Sequence, residues 1–257
     1  MTGLDEAGLT RHLHALTQAR RTAEVWDLHA ACMKRYGFDR LLYGFTRYRM
    51  DASLGNPDDW VVLTTHEPGY VDGFLRNELY RQAPMVHWAM ANDGACSWSR
   101  LAQWEQDGSL SAEERKVLEF NRRMGVSAGY TISFAPWSQR SKGAIALTAR
   151  PEITQAEVDA VWERHGETLM VLNTVVHLKL LTLPHGSRRL TARQREVLEW
   201  VGDGKTTQDI AALMALTPAT IEKHLRLARE ALDAETTAQA LLKAAYSNQI
   251  FVLEAEG

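Results

Sequence analysis

The chain reads as α+β, an N-terminal α/β/α sandwich followed by an all-α half, and three observations predict it. Four short β-rich runs (41–48, 60–65, 130–134 and 144–149) lie between helical stretches in the first 181 residues. Strands in mid-sequence with helices before and after them favour one sheet covered on both faces. Beyond residue 190 no such run recurs, and two helix starts are written in capping chemistry. A stretch carrying Pro184 and Gly186 separates the halves. The expected division is a sandwich over 1–181, a linker over 182–189 and a helical domain over 190–257.

In the first half, helical segments are expected over 9–36, 69–79 and 112–124. A longer helix opens after Thr154, where Glu157 closes a capping box. Val158, Val161, Trp162, His165, Leu169, Leu172 and Val176 then keep helical spacing as far as residue 181.

In the second half, Thr191 and Gln194 form a capping box, so a helix opens at Ala192. Gly204-Lys205-Thr206-Thr207 reads as its stop, and 209–214 as a short apolar helix. Thr217 is placed as the N-cap and Pro218 as the first residue of the next helix. There Ile221, Leu225, Ala228 and Leu232 recur at i, i+4, i+7 and i+11 on one stripe, with Glu222, Lys223, Arg226 and Arg229 on the other side. Helix, short helix, tight turn and exposed helix make a helix-turn-helix, whose polar face suits a major groove. A solvated face in an ordinary bundle is the competing reading. The cap, the proline and the short preceding helix favour DNA.

Charge supports this less than expected. From Ser187 onward nine Lys and Arg face ten Asp and Glu, whereas nucleic-acid-binding domains usually carry a positive face. The basic residues are clustered, however: Arg188, Arg189, Arg193 and Arg195 at the entry, then Lys223, Arg226 and Arg229. Phosphates are met by individual side chains, so placement outweighs the sum. A modest affinity that depends on dimerisation follows. The residues expected to face DNA are Thr206, Thr220, Glu222, Lys223, Arg226 and Arg229.

Other function classes find little support. At 257 residues, 45% hydrophobic and net charge −3, the composition is that of an ordinary folded protein. No run approaches the roughly 18 apolar residues of a spanning helix, and the start lacks a signal-peptide layout. Cys32 and Cys96 have no metal or redox spacing, and His12 and His14 would diverge on a helix. Gly202-Asp203-Gly204-Lys205 lacks the phosphate-loop spacing. A cytoplasmic protein that is not an enzyme, with no cofactor, no metal and no membrane partner, is expected.

The segment 190–251 resembles the LuxR-type helix-turn-helix of quorum-sensing regulators, unbroken through LTARQREVLEWVGDGKTTQDIAALMALTPATIEKHLRLAREAL. Gln194 stands where that family usually has Glu, and either closes a capping box. The resemblance implies a last helix over 237–247, which in the family often contributes to dimerisation, and Thr237 stands where the family often has Arg. The first 180 residues are similar to the family's autoinducer-binding domain. There a Trp, a Tyr four on, an Asp nine further and a Trp fifteen further recur, and this chain has Tyr70, Phe74, Ala83 and Trp98 at that spacing. Gly125 and Gly129, followed by Tyr130 and Thr131, match a Gly-x-x-x-Gly ahead of a strand.

The resemblance implies a ligand pocket lined by His66, Tyr70, Phe74, Ala83, Met85, Trp98, Thr131 and Ala146. In the family the Trp donates to the lactone carbonyl of an acyl-homoserine lactone and the Asp accepts from its amide N–H. Tyr70 keeps a donor; Ala83 accepts nothing, which would orphan a buried N–H at about 1–3 kcal/mol. The family's small hydroxyl positions fall near Met85 and Ala146, both apolar. Restoring Asp at 83 is expected to bury an unpaired carboxylate. Three readings stay open: a small apolar signal molecule other than a lactone, a fold that needs no ligand, or a lactone held differently. A phosphorylated receiver is disfavoured, since Asp51 lacks the early acidic pair of that class. The expected protein is a homodimeric LuxR-type transcriptional regulator with an atypical sensor. The alternative is a protein–protein interaction module that has lost DNA contact.

Overall fold

The structure is a computed structural model that describes residues 3–49, 53–184 and 189–251. Residues 185–188 of the expected linker, with Arg188, and Asp51 lie outside the described residues. The chain divides into two units: residues 1–19 with 23–179, and residues 180–257 with the short stretch 20–22.

The first unit is built on five antiparallel strands in the order β2-β1-β5-β4-β3. They are β1 (Phe38–Thr46), β2 (Val61–Thr64), β3 (Gly94–Ser97), β4 (Gly129–Phe134) and β5 (Lys142–Ala149). Strand alternation separates two faces. On one face Tyr130 stacks on Trp162 with ring centroids 3.9 Å apart, and Phe134 stacks on His177 at 4.1 Å. Both partners belong to α7 (Gln155–Thr182), whose Asn173 meets His29 of α2 (Thr22–Arg35) at 2.9 Å. On the other face the Ser133 hydroxyl donates to Ala89 O of α4 (Pro84–Ala91), and Trp98 Nε1 donates to Thr131 Oγ1. The sheet is therefore covered on both sides, as the sequence predicts.

The Thr154–Glu157 box opens α7, with Thr154 N donating to Glu157 Oε2 at 2.8 Å. Val158, Val161, Leu169, Leu172 and Val176 are buried along it. Gly143 lies against this helix, where a Cβ would meet His177 at 2.7 Å.

Several segments differ from expectation. The single helix over 9–36 is two, α1 (Glu6–Gln18) and α2. Continued past buried Leu16, one helix would turn Arg20, Ala23 and Asp27 inward; the break lets Val25, Trp26, His29, Cys32 and Met33 face the core instead. The helix over 69–79 is α3 (Pro68–Val71), a π-helical turn (Asp72–Arg76) and, further on, a 3-10 turn (Leu79–Gln82). At Gly73 a Cβ would collide with the Phe120 ring, so glycine permits that close packing. The strand β3, the helix α4 and the helix α5 (Ser99–Gln106) had no counterpart in the reading of the sequence. The helix α6 (Ala112–Arg123) opens on a Ser111–Glu114 capping box.

The second unit holds α8 (Ala192–Gly202), α9 (Thr207–Leu213), α10 (Pro218–Leu232) and α11 (Thr237–Tyr246). Val197, Leu198, Ile210, Ile221, Leu225, Ala228, Leu232, Ala240 and Ala244 close its core. The Thr191–Gln194 box is formed, and Gln194 is buried.

Candidate ligand cavity and nucleic-acid interface

One cavity of about 310 Å³ opens on the sheet face opposite α7. All eight residues singled out from the sequence line it: His66, Tyr70, Phe74, Ala83, Met85, Trp98, Thr131 and Ala146. Each reaches it from a definable position. Tyr70 and Phe74 lie on α3 and the π-helical turn, with rings stacked 5.4 Å apart; His66 stacks on Tyr70 at 4.2 Å. Ala83 is the N-cap of α4 and Met85 follows in its first turn, while Trp98 precedes α5. Thr131 and Ala146 are cross-strand partners on β4 and β5.

The polar groups around Tyr70 and Trp98 are mostly engaged. Trp98 Nε1 donates to Thr131 Oγ1 at 2.9 Å, which leaves the threonine proton free to donate onward. Tyr70 Oη donates to Asn121 Oδ1 at 3.3 Å, so its proton already has an acceptor within the protein. Burial, aided by the nearby Arg40 charge, pulls His66 down to about 4, so the ring is neutral at physiological pH. The same two influences act in opposite directions on Tyr70: burial raises its pKa and Arg40 lowers it, with a net rise that keeps the phenol protonated. Among the described residues no Asp or Glu lines the cavity.

Asn121, Thr148, Gly44 and Lys142 also line the cavity and were not singled out from the sequence. Strand parity would have found Thr148, two residues from Ala146 on the same face. Asn121 follows buried Val117 and Leu118 at helical spacing on α6. Lys142 crosses the sheet to Asp93, its Nζ 2.7 Å from the carboxylate.

In the second unit, α9, a turn through Ala215 and α10 form the helix-turn-helix. Thr217 caps α10, its side chain accepting from Thr220 N, and Pro218 takes the first position. Ile221, Leu225, Ala228 and Leu232 face inward; Glu222, Lys223 and Arg226 are exposed and Thr220 is half-buried. Arg226 pairs with Glu230 at 2.6 Å, and Glu222 accepts from Thr207 at 2.9 Å. Arg229 is turned away from this face, donating to Thr237 Oγ1 at 3.0 Å, and so ties α10 to α11. Thr206 is the N-cap of α9 in a full capping box with Asp209, a helix start that the sequence reading took only as a stop.

Models of two families match the chain. The autoinducer binding domain covers residues 21–180, and the bacterial regulatory proteins of the luxR family cover residues 188–244. Among curated relatives, the transcriptional activator protein SolR of Ralstonia nicotianae is 26% identical over 239 residues, 90% of this chain and 94% of SolR. The quorum sensing-dependent regulator RpaR of Rhodopseudomonas palustris is 32% identical over 218 residues, 78% of this chain and 81% of RpaR. Two solved structures share the fold. SdiA with octanoyl-rac-glycerol gives a TM-score of 0.52 at 16% identity, covering 96% of this chain and 97% of that one. The N-acylhomoserine lactone-dependent factor CepR2 of Burkholderia cenocepacia gives 0.51 at 14% identity, over 67% of this chain and 93% of that one. The chain therefore belongs to the LuxR family of bacterial transcriptional regulators, with an autoinducer-binding domain ahead of its DNA-binding helix-turn-helix.

Proposed function

We propose that this regulator acts as a homodimer, and that its sensor answers to a largely apolar small molecule other than a standard acyl-homoserine lactone. The observation that carries the reading is the cavity lining. Where the family reads an amide N–H with a carboxylate, buried Ala83 stands, and among the described residues no acid lines the space. A lactone amide desolvated there would meet no anionic acceptor, a loss of about 1–3 kcal/mol or more. SdiA, a relative in fold, has been seen with octanoyl-rac-glycerol, an acyl ester with no amide N–H. A ligand of that kind asks nothing of position 83.

On the DNA side, Thr220, Glu222, Lys223 and Arg226 are the proposed groove-facing residues of α10, with Thr206 near the phosphates. Two modules would read half-sites about one helical turn apart. Thermal-shift screening of the full chain against a lactone panel of varied chain length tests the sensor reading. No saturable stabilisation by the common members is expected, and a robust one from any of them overturns it.

A further inference from the structure

Thr148 is fully buried in β5, and its Oγ1 meets no hydrogen-bonding atom among the described residues. Parity places it on the cavity face with Ala144 and Ala146, and it lines the cavity. Buried hydroxyls are almost always bonded, because leaving one unpaired is costly. A partner supplied from the cavity would remove that cost.

The cross-strand register shows what lies around it. Thr148 sits between Gly129 and Arg40, Ala146 between Thr131 and Leu42, and Ala144 between Ser133 and Gly44. The cavity floor thus runs from a hydroxyl-bearing end to a floor of small residues, about 13 Å away for four residues of strand. At Gly44 an added Cβ would meet nothing within 4 Å, so this end stands open. Towards the polar end the groups are donors or neutral: Thr148, Thr131 and His66. The Arg40 guanidinium nearby is already bonded to Gly125 O, Ala149 O and Asp39. The cations that line the cavity are likewise committed, Lys142 to Asp93 and Arg122 to Glu105, so a carboxylate head would be buried beside cations already paired with other groups, which is more costly than burying a carbonyl.

We propose that Thr148 donates a hydrogen bond to the carbonyl oxygen of a neutral acyl ester, whose aliphatic tail runs over Ala146 and Ala144 towards Gly44. The assignment rests on the reading of this cavity as a ligand site without an amide acceptor. Thr131 is placed to share the same carbonyl, since its own oxygen already serves Trp98.

The test uses the full chain and three probes with one tail and different heads: octanoyl glycerol, octanoic acid and N-octanoyl homoserine lactone. Octanoyl glycerol should stabilise the wild type saturably and more strongly than the acid. Thr148→Val should weaken it roughly three- to tenfold, the worth of one hydrogen bond, while Tm without ligand holds or rises. Thr148→Ser should restore binding, and Gly44→Leu should abolish it by filling the tail's path. Unchanged ester affinity in Thr148→Val overturns the proposal, as does a fall in its ligand-free Tm, which would mean that the hydroxyl is bonded within the protein. A wild type that prefers the acid, or binds none of the three, overturns the ester class. Stabilisation by the lactone equal to that by the ester sinks the underlying amide argument, and Thr148→Val then still decides the role of Thr148.

Discussion

Ala83 caps α4 without offering the helix a side-chain acceptor, and Pro84 occupies the first helical position behind it. A hydroxyl there would accept from a first-turn N–H, so Ala83→Ser is expected to raise stability by about 0.5–1 kcal/mol, read from urea melts of the full chain. The same geometry changes the expectation for Ala83→Asp. The sequence reading, with no helix at 84–91, left that carboxylate unpaired; at an N-cap it finds backbone N–H groups and the positive end of the helix dipole. The histidines give a second residue-scale prediction. Burial pulls His29, His66 and His177 down to about 4 from 6.5. The unfolded chain therefore binds more protons between those values, so stability is full above pH 6.5 and is lost as pH falls towards 4. Melting of the full chain at fixed ionic strength should show this decline, and His177→Gln should flatten it. A melting temperature flat across that window would contradict the buried neutral rings. At this scale eight lining residues were legible through the resemblance to the autoinducer-binding domain, whereas Asn121 and Thr148 were not, and the bonds Tyr70–Asn121 and Trp98–Thr131 needed three-dimensional partners from α6 and β4.

The elements that announced themselves were those with both a cap and a long periodic face. Thr154 opens α7, Thr191 opens α8 and Thr217 opens α10, and each is followed by a stripe that is buried as its spacing implies. Short elements gave no such signal. α4, with sequence PMVHWAMA, is nearly apolar throughout, and β3 spans only Gly94–Ser97. Neither shows a period, and their neighbours in space fix them. The helix-turn-helix yields a contrast between two of its residues. Thr206 closes a reciprocal box with Asp209, so Thr206→Ala should cost about 0.5–2 kcal/mol of folding stability. Arg226 is exposed and, among the described residues, bonded to Glu230 at i+4, a pairing of slight worth. Arg226→Ala should leave the melting temperature in place and cost about 1–3 kcal/mol at the cognate operator, as for a lost base contact. Operator affinity unchanged in a well-folded Arg226→Ala protein would remove it from the interface.

For the whole molecule the question is how a chain with net charge −3 holds DNA. The helix-turn-helix unit has no cationic excess to spare, and Arg229 already donates to Thr237. Two modules joined in one complex double the phosphates neutralised, and with them the slope of log affinity against log salt, about 0.9 per phosphate contact. We propose that such a pairing runs through exposed apolar side chains on each unit. Leu242 on α11 is 49% exposed, and Val171 and Leu178 on α7 are 50% and 53% exposed. Leu242→Glu places a charge at an exposed position outside the buried core, so the folded unit should persist. Pairing should weaken, and binding to a two-half-site operator should fall by tenfold or more, about 1.4 kcal/mol for each factor of ten. Binding to a single half-site should be unaltered, and the salt slope on the full operator should drop towards that of one module. Sedimentation and salt-titrated binding on both DNAs separate the terms. If Leu242→Glu is monomeric yet keeps the wild-type operator affinity and slope, one module suffices and the dimer argument is wrong.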